Sequence, residues 1–153
     1  MIYVFIQCRL RSSRVPNKAL VKFYNETIIE RIIRIAKKTK FKKKIFLLSG
    51  SKHKNFKLIK FAKKFKIKIF FGNETNVFER YNNAIKHFKI DNKDFIMRLT
   101  ADNYLIQPNI LNKLSEYKKD YEYISFNPLS HYSGELFSVK SFNKKIKKKK
   151  LSR

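Results

Sequence analysis

Short apolar runs alternate with helical stripes along most of this chain. Ile2–Ile6 is continuously apolar, as a strand buried on both faces of a sheet must be. Glu26–Lys38 gathers Ile28, Ile29, Ile32, Ile33, Ile35 and Ala36 on a wide helical face, with Asn25 or Thr27 placed to cap it. Ile45–Leu48 predicts a second strand. Asn55–Phe65 predicts a second helix, with Leu58, Ile59, Ala62 and Phe65 on one side. A third strand, Ile67–Phe71, is stopped by Gly72. A third helix, Asn76–Phe88, turns Val77, Phe78, Tyr81, Ala84, Ile85 and Phe88 inward. Phe95–Leu99 predicts a fourth strand. Pro108 suits the first turn of a helix reaching Tyr117. Tyr123–Phe126 and Leu136–Val139 are expected as strands near the end of the sheet.

This order predicts an α/β fold, a three-layer α/β/α arrangement around a mostly parallel, Rossmann-like sheet. Ligands in such sheets bind at the C-terminal ends of the strands. Four loops are therefore expected on one rim: Arg9–Lys18, Ser49–Lys52, Gly72–Asn76 and Thr100–Tyr104. One domain is expected over 1–142. The lysine-rich tail 143–153, with its cluster Lys147 to Lys150, is expected to be a frayed helix or a disordered end.

Composition narrows the class. With 153 residues, 43% of them apolar, the chain can bury one sizeable core. The single cysteine, Cys8, excludes an internal disulfide and is expected to pack as a small apolar residue. Met1–Ile6 is too short for a signal peptide, and no window approaches the ~20 apolar residues of a membrane span. A cytoplasmic protein with no membrane partner is the expectation. His53, His87 and His131 have no ligand spacing, so no zinc site is expected.

The formal charge of +26 changes the picture less than its size suggests. Lysines far outnumber arginines, and Lys, Ile, Asn and Phe are inflated together, the bias of AT-rich codons. Lys37, Lys38, Lys42, Lys43, Lys63 and Lys64 fall where helices end, and favour the negative end of the helix dipole. The phenylalanines sit at core spacing rather than in base-stacking motifs, so no specific nucleic acid partner is expected. A basic surface still steers anionic substrates.

The first βα loop is the place where charge becomes chemistry. Arg9, Arg11, Ser12, Ser13, Arg14 and Lys18 follow a buried strand directly. A triphosphate needs this mixture of cations, hydroxyls and backbone N–H groups. Pro16 stiffens the loop. An ordinary basic turn remains the alternative, because the glycines of a P-loop are missing. Asp102 follows another buried strand at the same rim. It suits a hard cation such as Mg²⁺, which takes one or two carboxylates plus phosphate oxygens and water. A turn-capping role is its alternative.

The segment Phe5–Leu20, FIQCRLRSSRVPNKAL, resembles the opening motif of the CMP-sugar synthetases, the acylneuraminate and Kdo cytidylyltransferases, and within them the spore coat polysaccharide biosynthesis protein F type. Glu30-Arg31, the Gly72…Asn76–Tyr81 segment, Arg98–Asp102 and Leu105-Ile106 continue the resemblance in order. It implies a nucleotidyltransferase sheet, C-terminally truncated relative to the family. It implies transfer of CMP from CTP to a sugar, with release of pyrophosphate, in surface polysaccharide synthesis. Arg9, Lys18 and Asp102 would be catalytic. Arg9, Ser12, Ser13, Arg14, Lys18, Ser49 and Arg80 would bind the nucleotide, although Arg80 could instead form a structural ion pair with Glu79 or Glu74. Arg98, Thr100 and Glu135 would face the substrate, and Asp102 would hold Mg²⁺. CTP and a sugar would be the partners, and a homodimer the assembly.

Departures from the pattern matter equally. Arg11 stands where the family has glycine or alanine. Ser49-Gly50-Ser51 lacks the acidic residue of a Thr-Ser-Asp motif. Ser133 occupies the position of an aspartate in Gly-x-Asp-x-Glu, while Glu135 matches its glutamate. A catalytically weak or inactive nucleotide- or sugar-binding relative is the competing expectation.

Overall fold

The computed structural model describes residues 1–11, 15–126 and 132–151, the side chains of 119 and 147–151 apart. The chain begins with β1 (Ile2–Gln7), and after the basic loop forms a small hairpin of β2 (Lys22–Phe23) and β3 (Glu26–Thr27). Then follow α1 (Ile28–Lys38), β4 (Lys43–Ser49), α2 (Lys52–Asn55), α3 (Ile59–Lys64), β5 (Lys68–Phe71), α4 (Val77–His87) and β6 (Phe95–Thr100). The last third adds α5 (Pro108–Glu116), β7 (Tyr123–Ser125), β8 (Glu135–Ser138) and α6 (Val139–Leu151).

The main sheet has the strand order β5-β4-β1-β6-β8-β7. β1, β4, β5 and β6 pair in parallel, and β8 runs antiparallel between β6 and β7. Alternation along each strand sends side chains to two cores. Ile2, Val4 and Ile6 meet α1, α3 and α5 on one face. Tyr3 and Phe5 meet α4 and α6 on the other. The three-layer, mostly parallel α/β expectation is the observed fold. β4 and β5 lie on one side of β1 and β6 on the other, so the order reverses between β1 and β6, and the crevice for a ligand is at their C-terminal ends.

Local chemistry explains the boundaries. Thr27 caps α1 through a reciprocal capping box: its hydroxyl accepts from the Glu30 N–H, and the Glu30 carboxylate accepts from the Thr27 N–H at 2.8 Å. Asn76 caps α4 by accepting from the Glu79 N–H at 3.0 Å. Elsewhere the elements differ from expectation. The segment read as one helix from Asn55 to Phe65 divides into a 3₁₀ turn at Phe56–Leu58 and α3, and Asn55 instead closes the preceding α2 and bonds across to two loops. Val139 begins α6 instead of ending a strand. Helix α6 runs into the lysine-rich tail as far as Leu151, with 152 and 153 outside the described residues; Phe142, just before the tail, is buried, and Ile146 packs on the α4 core. No helix among the described residues is long and apolar enough to cross a membrane.

The α1 cap carries a measurable charge effect. Burial disfavours the Glu30 carboxylate, but Lys64 and the Thr27 N–H and hydroxyl donate to it, and its pKa falls to about 2. A lowered folded pKa stabilises above the ordinary carboxylate value, and that contribution disappears as pH falls through the folded one. Glu30→Gln is expected to cost about 1 kcal/mol at pH 7, since Lys64 is largely exposed. Urea unfolding of the two proteins should converge as pH drops from 4.5 towards 2.

Candidate active site

The loop after β1 is pinned at both ends. The Cys8 N–H donates to Leu48 at 2.9 Å, and the Asn17 N–H returns to the Leu10 carbonyl at 2.7 Å. Leu10 and Ala19 are buried, while Arg11 and Asn17 between them are exposed and Lys18 is half-buried. Asn17 adopts a left-handed φ of 56°, a conformation asparagine tolerates, and this delivers Lys18 to the crevice.

There Arg9, Arg11, Lys18, Arg98, Thr100 and Asp102 line one polar cleft of about 290 Å³. The Lys18 ammonium donates to the Asp102 carboxylate across the gap between the β1 and β6 loops. Burial disfavours the Asp102 charge, but Lys18 and the nearby Thr100 hydroxyl outweigh it, so its pKa lies below the ordinary carboxylate value. Arg11 therefore adds a cation to the cleft. Cations exceed carboxylates four to one among these six residues, as an anion site requires.

Arg9 is aimed by a neighbouring loop. Its Nη1 donates to the Glu74 carbonyl at 2.7 Å. Arg80 Nη2 donates to the same carbonyl at 2.9 Å, while its Nε and Nη2 both reach the Asn73 carbonyl. Arg80 is fully buried, and its Nη1 has no hydrogen-bond partner. Burial and the approach of Arg9 pull the Arg80 pKa below its ordinary value. Arg80, read as a nucleotide contact with an ion pair to Glu79 or Glu74 as the alternative, bonds to backbone carbonyls and does not line the cleft.

Ser49, read as a nucleotide contact, is fully buried, and its hydroxyl donates to the Cys8 carbonyl at 2.7 Å, which joins β4 to the β1 loop. Ser12, Ser13, Arg14 and His131 lie outside the described residues. Cys8 is buried, and burial pushes its thiol up to about 12, which rules out a nucleophilic thiolate. Arg98 and Glu135 face each other in register on β6 and β8 and form an ion pair. A Cβ at Gly134 would lie 2.7 Å from the Arg98 carbonyl oxygen, so only glycine lets β8 approach.

Residues 3–151 match the sequence profile described as Cytidylyltransferase. The chain belongs to the cytidylyltransferase family. An uncharacterized protein of Methanocaldococcus jannaschii, MJ1063, is 30% identical over 148 residues, 95% of this chain and 60% of that protein. The structure of a cytidylyltransferase from Leptospira borgpetersenii serovar Hardjo-bovis matches with a TM-score of 0.82 at 27% identity, covering 94% of this chain and 62% of that one. CMP:2-keto-3-deoxy-manno-octonic acid synthetase, solved with CTP, shares the fold at TM-score 0.65 and 16% identity, over 78% of this chain and 48% of its own. The chain thus spans about 60% of the length of the first two relatives.

For a divalent ion, the cytidylyltransferase cleft offers one carboxylate, Asp102. No group of three or more His, Cys, Asp or Glu side chains able to hold a metal occurs among the described residues. Ser133, at the aspartate position, is fully buried. This donor set fits a Mg²⁺ that arrives with phosphate oxygens, which is how Mg²⁺ is commonly held in phosphate sites.

Three residues that sequence reading left without their observed roles build the cleft. The Glu74 carboxylate accepts from the Ser51 N–H (2.8 Å), the Ser51 hydroxyl (3.1 Å) and Asn55 Nδ2 (3.0 Å). Burial opposes that charge, yet these donors and Arg9 lower its pKa. Asn55 Oδ1, in turn, accepts from the Leu10 N–H at 2.8 Å. Arg31 donates Nε–H to the Tyr104 carbonyl and lies over the Tyr104 ring, steadying the loop that follows Asp102. The sequence signals were Glu74 in the Gly72–Asn76 rim loop, Asn55 at the start of an expected helix, and Arg31 within the motif resemblance. Asn55→Ala leaves a buried N–H and a carboxylate oxygen short of partners. It should cost about 2–3 kcal/mol in denaturant unfolding and speed amide exchange at Leu10 and Ser51.

Proposed function

We propose that this chain forms the nucleotide-binding part of an enzyme that transfers CMP from CTP to a sugar hydroxyl. The observation that carries this reading is the convergence of Arg9, Arg11, Lys18 and Asp102 in one cleft at the crevice between β1 and β6. Arg9 and Lys18 bind the phosphates, with Ser12, Ser13 and Arg14 in the same loop contributing hydroxyls and a further cation. Arg80 acts by holding the Asn73–Glu74 carbonyls that aim Arg9, a positioning role. Arg98, Thr100 and Glu135 face the acceptor side.

In the reaction, the acceptor oxygen attacks the α-phosphorus and the bond to the bridging oxygen of the β-phosphate breaks. Pyrophosphate leaves, and the acceptor hydroxyl proton passes to water. The cations act by holding the chain of phosphates in line and by neutralising charge that grows on the leaving group. Mg²⁺, held by Asp102 and phosphate oxygens, supplies further charge neutralisation when bound. Lys18 then exchanges its carboxylate partner for phosphate. Surface polysaccharide synthesis, the spore coat type and a dimeric assembly are the finer parts of this proposal, and rest on the motif resemblance.

A second reading, nucleotide binding without turnover, is favoured by the buried Ser133 where a second carboxylate belongs. Pyrophosphate release from CTP and Mg²⁺ with a panel of sugars separates the two. Thermal protection by CTP without pyrophosphate supports the second, and neither signal refutes both. If transfer occurs, Lys18→Met should lower kcat/KM about a hundredfold. Its unfolding free energy should change by less than about 1 kcal/mol, because the pair with Asp102 is solvent-exposed.

A further inference from the structure

The far end of the sheet, where β1, β4 and β5 begin, carries a groove that the phosphate cleft does not explain. It measures about 540 Å³. Tyr3, Phe41, Phe46 and Phe88 form its apolar floor, and Lys37, Lys43, Lys44, Lys66 and Lys68 stand around it. The parallel register assembles these residues, setting Lys44 beside Tyr3 and Lys68 beside Phe46. Phe46 stacks on Phe88 at 4.1 Å and on Tyr3 at 5.9 Å, so the floor is braced.

The charge here is one-sided. No carboxylate lines the groove, and the lysine ion pairs among the described residues involve Lys18, Lys64, Lys93, Lys113 and Lys144 instead. Asp91 and Asp94, close enough to act on Tyr3, are engaged by Lys93 and the Met1 ammonium. Lys37 and Lys43 serve the C-terminal end of α1, where Lys43 donates to the Thr39 carbonyl at 2.5 Å. The other three have no such duty. Lys44 and Lys68 lie on strands, and Lys66 holds a φ of 52°, a left-handed conformation that glycine would adopt at lower cost.

The shape of the groove selects among anions. A bare phosphate needs no apolar floor. A nucleobase needs an open ring face, and here the faces are taken: Phe46 stacks on two rings, while Lys43 and Lys44 lie over Phe41 and Tyr3. A bilayer needs apolar side chains that protrude, and none of the exposed large apolar residues lines the groove. A second copy of this chain would bring a net charge of +26 against the lysines.

We infer that this groove docks an acidic segment of a partner protein, one in which Asp or Glu alternate with apolar side chains. The carboxylates meet the lysines, and the apolar side chains cover the half-buried Phe41 and Phe88. β5 is the last strand on this side and pairs with β4 alone, so an extended segment has a strand edge beside Lys68 to follow. The groove lies at the opposite ends of the strands from the phosphate cleft, and a docked partner leaves that cleft open.

Fluorescence anisotropy on the full chain, with a labelled Glu-Phe-Glu-Leu-Asp-Phe-Glu peptide, tests this. Heptaglutamate, oligo-dT and phosphatidylserine vesicles serve as competitors. The expected result is saturable binding at about 0.15 M salt, where diffuse surface attraction is largely screened. Lys44→Glu/Lys68→Glu should weaken it about tenfold. Lys22→Glu/Lys57→Glu, an equal change of charge on exposed lysines outside the groove, should alter it less than about twofold. Lys66→Gly should weaken it while the melting temperature holds or rises, the signature of a side chain kept for a ligand. Lys89→Gly, which relieves the same left-handed backbone outside the groove, should leave binding unchanged. The Lys66→Gly variant carries the test where the double reversal lowers the melting temperature. The proposal is overturned if the peptide shows no saturable binding, or if Lys66→Gly binds it as tightly as wild type. It is equally overturned if both charge-reversal pairs weaken the peptide alike, or if heptaglutamate displaces it as well as unlabelled peptide does, since diffuse charge then suffices. Stronger displacement by oligo-dT or by the vesicles also overturns it, because the groove would then hold a nucleic acid or a lipid surface.

Discussion

The Glu74 residue ties the rim of the sheet together with both of its ends. Its carboxylate gathers Ser51 and Asn55, and Asn55 passes the connection on to the Leu10 N–H. Its carbonyl receives Arg9 and Arg80. Three loops that follow β1, β4 and β5 are thereby held as one body, although they are distant in sequence. The contact is close enough that a Cβ on Gly50 would lie 1.9 Å from the Glu74 carboxylate oxygen. A loop carrying several like charges has every electrostatic reason to splay. Here directional bonds to one half-buried hub oppose that repulsion, and a charged group bound this way contributes more than an ordinary hydrogen bond.

The excess of cations in the cleft follows from the same arrangement. Arg9 spends one N–H on the Glu74 carbonyl, a neutral acceptor, and so keeps its full charge for a ligand. Lys18 and Asp102 pair with each other, which lowers the cost of holding either near the other charges. Their pairing is exposed and weak, so a ligand with several negative oxygens can displace it. On the opposite side, Arg98 and Glu135 are joined across β6 and β8, and Gly134 is what allows those strands to meet. The antiparallel strand β8 thus brings a carboxylate from late in the chain to the wall of the crevice.

Much of this was legible in the residues. The continuous apolar run of β1 and the wide isoleucine stripe of α1 announce a buried parallel strand and a covering helix, because burial on both faces leaves no room for polar positions. Of Asn25 and Thr27, the two residues placed to cap the first helix, Thr27 is the cap, and Asn76, read as the first residue of its helix, caps α4. Arg9, Lys18 and Asp102 were recognisable as rim residues because each follows a buried strand. Ser49 looked equivalent by that argument, yet the last residue of β4 faces inward and its hydroxyl is consumed by Cys8. Position at a strand end says where the backbone is, and a single step of alternation decides whether the side chain is buried or offered.

Hydrophobic period and strand-end position thus determined, from the sequence by itself, the layers, the parallel core of the sheet and the rim on which the charged residues sit. Both are local rules, set by burial within one element. What only the tertiary structure decided was partnership. That Arg80 serves backbone carbonyls rather than a glutamate, that Glu74 is a hub, and that Arg98 pairs with Glu135 all depend on contacts between residues far apart in the chain. The entry into the lysine-rich segment was decided the same way: α6 starts at Val139, and Phe142 and Ile146 find a core to dock against. Such contacts are fixed by how loops close over a common sheet, a distance and an angle that residue spacing does not encode.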